Sequence, residues 1–190
     1  FGGQSDFHRP QNYFEERRKH IGDGTLTGVG LLSDLGVRNM RIVEIGAADG
    51  ALLAWCQGQG ATSVTGVEFS EEAAAWGRAN YGINIIHSDL DPSAIPEGSV
   101  DLVVAVDLIE HLQSPGSLVA TSAKWLAPNG RLAMICPNGR ALDYWGGWWI
   151  GAQEHMEHLS YLTRAQFMKW ANEFGFAIER YVYSGCPLRT

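Results

Sequence analysis

At 190 residues, with 45% hydrophobic and 18% charged side chains, the chain has the balance of one globular domain with a substantial core. No apolar run of roughly 18 or more residues suggests a membrane span, and a formal net charge of −7 argues against a broad nucleic-acid surface, whose affinity comes from Lys and Arg. Cys56, Cys136 and Cys186 form no C-x-x-C pair, which points away from a disulfide framework or a cysteine zinc site and fits a reducing compartment, the cytoplasm.

Residues 1–40 read as a lead-in rather than a separate domain. The chain opens Phe1-Gly2-Gly3 without a methionine or a charged-then-apolar leader, so it is expected to be a processed, trimmed or excised piece. Its one dense basic run, Arg17-Arg18-Lys19-His20, comes after Glu15-Glu16 and reads as a solvated helix face. Leu31, Leu32, Leu35 and Val37 are spaced for a helix that packs on the domain starting at residue 41. Residues 41–190 are expected to form one domain in which short β-branched runs alternate with alanine-rich amphipathic stretches. Strands are predicted at 41–45, 63–68, 84–87, 102–106, 130–136 and 176–183, and helices near 50–59, 71–80, 115–126 and 163–174. Ala127-Pro128-Asn129-Gly130 reads as a turn ahead of the fifth strand, and Thr163 with Gln166 as a capping box. The pattern predicts an α/β fold: a doubly wound, mostly parallel sheet with helices on both faces and ligands at the carboxyl ends of the strands.

Ile42-Val43-Glu44-Ile45 runs into Gly46-Ala47-Ala48-Asp49-Gly50 and a helix start near Ala51. Small residues let backbone N–H groups approach a ligand, and the helix start adds positive potential. Such a turn by itself serves a dinucleotide, or mere tight packing, equally well. The second strand ends in Glu68, 18 residues after Gly50, where a carboxylate can accept both hydrogen bonds of a ribose diol. The third strand ends at Ser88-Asp89-Leu90, with a carboxylate suited to an exocyclic amine, and the fourth at Val106-Asp107.

This combination over residues 41–138 resembles the class I S-adenosylmethionine-dependent methyltransferases, whose signature of an acid followed by alternating glycines is matched by Glu44, Gly46 and Gly50, with Ala48 in the middle glycine's place. The resemblance implies a Rossmann-like methyltransferase fold and S-adenosylmethionine as cofactor. It implies further that Gly46, Ala47 and Ala48 line the methionine and ribose, that Glu68 binds the ribose hydroxyls, and that Asp89 and Leu90 frame the adenine with Phe69 stacked beside it. Asp107 closes the same rim. The family usually carries a seventh strand, and only Ser184 to Thr190 come after the sixth predicted strand, so the sheet is expected to lack its last strand.

Asp107-Leu108-Ile109-Glu110-His111-Leu112 puts Asp107, Glu110 and His111 on one face if it turns helically. Three roles stay open for this step: organising the loop, accepting a proton, or holding a divalent metal. For a hydroxyl acceptor the candidate bases are His111 and His155, since imidazole titrates near neutral pH. The metal role is suggested by two similar branches, the ubiquinone-pathway O-methyltransferases and the small-RNA terminal 2′-O-methyltransferases, whose ligand positions would be Asp107, Glu110, His111 and His158. Asp107 stands where those branches carry glutamate. Trp145, Trp148 and Trp149 lie in an insertion that commonly covers the acceptor pocket in the family, and Gly146-Gly147 reads as its flexible joint. The expected function is methylation of a hydroxyl or amine on a small-molecule acceptor. The alternatives are metal-dependent RNA 2′-O-methylation, disfavoured by the acidic charge, and a non-catalytic methyltransferase-like binding domain of a larger protein.

Overall fold

In the computed structural model, which describes residues 27–138 and 158–183, the apolar run RIVEI forms β1 (Arg41–Ile45) at the centre of a five-stranded sheet. The other strands are β2 (Ser63–Glu68), β3 (Asn84–His87), β4 (Val100–Val106) and β5 (Leu126–Ile135). All pairings are parallel and the spatial order is β3-β2-β1-β4-β5. Parallel strands covered on both faces read as continuous apolar runs, which is why Val100–Val106 shows hardly any polar interruption.

The helices are α1 (Val29–Leu35), α2 (Ala51–Gly58), α3 (Glu71–Tyr81), α4 (Pro115–Trp125) and α5 (Arg164–Phe174), with short 3-10 turns at Pro92–Ala94 and Ile109–His111. Alternation along β1 splits the core in two. Ile42 joins Leu32, Leu52, Leu53 and Ala74 of α1, α2 and α3 on one face. Val43 and Ile45 join Leu118, Val119 and Trp125 of α4 on the other, with Phe167 and Trp170 of α5 packed against them. Local chemistry sets the boundaries. Ser70 caps α3 by accepting from the Ala73 N–H, Glu71 and Glu72 lie in its first turn and Arg78 in its last, and Gly82 ends it at φ 67°. At the start of α5, Gln166 Oε1 accepts from the Thr163 N–H at 2.8 Å and from its hydroxyl at 2.9 Å.

The start of β1 is tied to β4 by one ion pair. The Arg41 guanidinium donates to both oxygens of Asp101, from Nε at 2.9 Å and Nη2 at 2.7 Å, and its backbone N–H donates to Oδ2 at 2.8 Å. Those bonds, the side-chain ones foremost, hold the Asp101 carboxyl down at about 2.

Three expectations are revised. Residues 176–183 make no strand, although their alternation has β propensity. A strand needs ladder partners, and residues 177–180 face solvent beside β5 with Glu179 on Arg131 at 3.3 Å. The fifth strand begins at Leu126 rather than 130: Leu126 pairs with Val100 and Arg131 with Leu102, so the intervening residues bulge out and Asn129 turns at φ 65°. The turn chemistry thus sits inside the strand. The lead-in helix stops at Leu35 because Gly36 breaks it, yet Val37 is still buried.

Candidate functional site

Strand register sets four chain ends on one rim. Ile45 is level with Val67 and Ala105, Glu68 with His87, and Val106 with Ile135, so Gly46, Glu68, Ser88 and Asp107 all emerge at the carboxyl edge. Because β2 and β4 flank β1, the chain reverses its winding there, and the crevice of a doubly wound sheet opens at that point.

The Gly46–Gly50 turn is folded onto its neighbours. Gly46 and Gly50 have φ of 73° and 74°, a left-handed region that costs glycine nothing. A Cβ on Gly46 would meet Leu108 at 3.0 Å, and one on Gly50 would meet Ile85 at 2.9 Å. Ala48 adopts φ 50° without being glycine and donates its N–H to Glu68 Oε2 at 2.8 Å, while Ser70 N–H donates to Glu68 Oε1 at 2.8 Å. Glu68 is buried, and both its oxygens keep a second lone pair for a ligand. Phe69 beside it is 70% exposed, an uncovered aromatic face. Asp89 is exposed and Leu90, at φ 52°, packs partly under the rim. Glu44 lies one step back, on the α2 face of β1 with Ile42; burial and then the Glu44 charge push the Cys56 thiol up to about 12.

Two residues that the motif reading passed over shape this turn. Asp49 is fully buried and accepts from the Ala51 N–H at 3.3 Å, which places a carboxylate at the start of α2. Gly77 of α3 lies against it: a Cβ there would come within 2.3 Å of the Asp49 carbonyl oxygen. The Asp-Gly step ahead of an apolar helix was a readable signal for the first, since Asp is a preferred residue at helix starts. For Gly77, nothing local announced the close approach.

On the other side of the crevice Asp107 leaves β4 at φ 48° with an exposed side chain, and its N–H donates to the Ile135 carbonyl at 2.9 Å. The 3-10 turn Ile109–His111 comes next. Glu110 is 2% exposed and neither of its carboxylate oxygens has a hydrogen bond; burial pushes it up to about 7, with Asp107 adding to the rise. The Glu110 carbonyl accepts from Leu159 N–H at 2.8 Å and Ser160 N–H at 3.0 Å, which carries His158 to His111 with ring centroids 4.7 Å apart. Ligand atoms of Glu110, His111 and His158 lie within 4.8 Å of one another, and Asp107 is outside that group. His155, Trp145, Gly146, Gly147, Trp148 and Trp149 lie outside the described residues. Away from this rim, an open groove of about 350 Å³ lies between Arg164 and residues 178–183, with Tyr181 and Tyr183 in its wall.

Comparison with known proteins agrees with this geometry. A family model described as a methyltransferase domain matches residues 13–181. A ubiquinone biosynthesis O-methyltransferase of Thiobacillus denitrificans is 29% identical over 110 residues, which cover 55% of this chain and 47% of that protein. The chain spans less than half the length of the first curated relatives it matches. Among solved structures, an S-adenosylmethionine-dependent methyltransferase of Mesorhizobium loti superposes with a TM-score of 0.67 at 23% identity, over 80% of this chain and 82% of that one. Another from Archaeoglobus fulgidus gives 0.67 at 19% identity, over 87% and 74%. At these identities the structures speak for the fold.

Proposed function

This chain belongs to the methyltransferase-domain family, within the class I S-adenosylmethionine-dependent superfamily, and from that premise we propose that it transfers a methyl group from S-adenosylmethionine to a hydroxyl or amine of a small-molecule acceptor. The observation that carries the cofactor reading is that two of the donors around the turn, the Ala48 and Ala51 N–H groups, are already taken by acids. Glu68 holds the Ala48 N–H, and the buried Asp49 carboxylate holds the Ala51 N–H at the start of α2. A dinucleotide pyrophosphate is bound by free N–H groups at such a helix start. Here those two are occupied, and Glu68 keeps lone pairs at the rim, which favours a cofactor held through its ribose hydroxyls over one held through a pyrophosphate.

Bound, S-adenosylmethionine supplies a methyl group on a sulfonium, whose departure leaves a neutral thioether. In our reading Gly46, Ala47, Ala48 and Gly50 form the turn against its methionine and ribose. Glu68 accepts from the ribose hydroxyls with its remaining lone pairs, and Phe69, Asp89 and Leu90 frame the adenine. Glu44 and Asp107 brace the strand ends on either side. The protein's main contribution is alignment of the acceptor behind the methyl group. A hydroxyl acceptor must also lose its proton, and we assign that step to His111. His155 remains a second candidate. The relatives' name supports a hydroxyl acceptor, and the net charge of −7 favours a small molecule over RNA. Cys56 and Cys136 are free thiols, which suits the cytoplasm as its place of action.

Calorimetric titration of the chain with S-adenosylmethionine and, separately, with NAD tests this. Micromolar binding of the first and none of the second is expected, and Glu68→Gln should weaken it by about tenfold or more, which is roughly 1.4 kcal/mol. Tight NAD binding, or S-adenosylmethionine binding indifferent to Glu68, would sink the reading.

A further inference from the structure

A base works only within hydrogen-bond reach of its proton, and a misplacement of about 1 Å between reacting groups can cost about 100-fold in rate, so the span between the two sides of the crevice must be held closely. Two ties already described hold the stretch that carries His111: the Asp107 N–H donates to the Ile135 carbonyl, and the Glu110 carbonyl accepts from Leu159 and Ser160. A third runs toward the Gly46–Gly50 turn and is made by Leu108. A Cβ on Gly46 would meet both Leu108 methyls at 3.0 Å and the branch carbon at 3.2 Å, the three nearest atoms to that position. The bare face of Gly46 is therefore where the Leu108 side chain rests. Gly46 is itself pinned to β2, its N–H donating to the Val67 carbonyl at 2.8 Å.

We propose that Leu108 is a positioning residue, which sets where His111 stands relative to the methyl donor. Its two halves engage the two sides of the crevice: the side chain touches Gly46, and the carbonyl accepts the His111 N–H at 2.9 Å. Asp107, at φ 48°, turns the chain at the end of β4 and delivers Leu108 to this place. From behind, Leu108 packs against the cluster that contains Val43, Ile45 and Ile109. A side chain packed in this way passes a displacement on rather than absorbing it, because close-packed interiors have low compressibility. A ligand laid on the Gly46–Gly50 turn thus moves His111 through a single residue. Leu108 touches none of the reacting groups, and the inference rests on the methyltransferase reading, to which it adds the link between cofactor and base.

The test is NMR of the full chain labelled with ¹⁵N-histidine, which has six histidines, with the His111 amide identified by its loss in His111→Asn. S-adenosylmethionine is added to saturation, established by calorimetry for each variant, so that differences in affinity do not enter. In the parent the His111 amide should shift, because its hydrogen bond to Leu108 moves with the turn. Leu108→Val keeps an apolar, branched side chain but withdraws its methyls from Gly46 by about one bond, and the His111 shift should fall about twofold or more. Leu108→Met reaches as far as leucine and should restore it. His87, level with Glu68 in the β2–β3 ladder, should shift alike in all three chains and reports a seated cofactor. A residue that merely filled space would disturb both histidines or neither. A His111 amide that stays still in the parent, or shifts as far in Leu108→Val, overturns the inference and leaves the methyltransferase reading standing. Failure of the parent to bind S-adenosylmethionine at all sinks that reading, and this inference with it.

Discussion

Ala48, Leu90 and Asp107 have φ of 50°, 52° and 48°, and each comes off a different strand onto the same rim. An L side chain in that region costs about 1–2 kcal/mol, so the rim holds strain that the surrounding packing must over-determine. At Ala48 the restraint is visible: Glu68 fixes its N–H. Asp101 shows the opposite balance, a charged residue relieved by its partner. With the carboxyl held near 2 by Arg41, below its unfolded value of 3.8, the pair's contribution is complete above the ordinary carboxylate range and is lost as pH falls through about 2. Both side chains are more than a third exposed or nearly so, which screens the pair, so Asp101→Asn should cost about 1 kcal/mol at neutral pH rather than the full shift. Urea unfolding of parent and variant at pH 6 and again near pH 2 should show that difference shrinking; a gap that persists in acid would mean the loss is packing and not charge.

The elements were readable where one signal acted alone. β1, β2 and β3 fall where the β-branched runs put them, and α3 and α5 end where Gly82 and Gly175 take left-handed φ. The exceptions have a common cause in partners distant along the chain. Residues 176–183 carry a strand-like pattern, but strand formation depends on a neighbouring edge and not on the pattern. Burial of Asp49 likewise results from α3 closing over the turn, 28 residues later at Gly77, which no local window contains. That contact joins a helix to the Gly46–Gly50 turn, and a single methyl tests it. Gly77→Ala drives a Cβ to within 2.3 Å of the Asp49 carbonyl and 2.5 Å of Ile85, so it should cost about 1–3 kcal/mol or more of stability. It should also weaken S-adenosylmethionine binding, because the turn must move to admit it. Denaturant midpoints and titration of the same sample check both, and an alanine tolerated without change would show that α3 and the turn are not in contact.

At the scale of the whole molecule, the cofactor side was far more legible than the acceptor side. Residues 44–90 carry both the turn and the two acids in short, ordered spacing, and the sheet register assembles them without help from elsewhere. The histidine cluster draws on residues 110, 111 and 158, which meet because a backbone carbonyl joins two separate stretches; the sequence grouped them only through a family resemblance, with Asp107, which the structure leaves outside the group. This asymmetry comes from the reversal of winding at β1. Among the described residues, one side of the crevice is encoded before Asp91 and the other after Val100, and the two halves are joined through the exposed Pro96-Glu97-Gly98 turn. Inheritance can therefore treat them separately. On the proposed assignment of the two sides, a recombination that crosses over within that turn hands on the Gly46–Gly50 turn and its acids intact while exchanging what comes after Val100, a route by which related chains would acquire new acceptors without relearning how to hold the methyl donor.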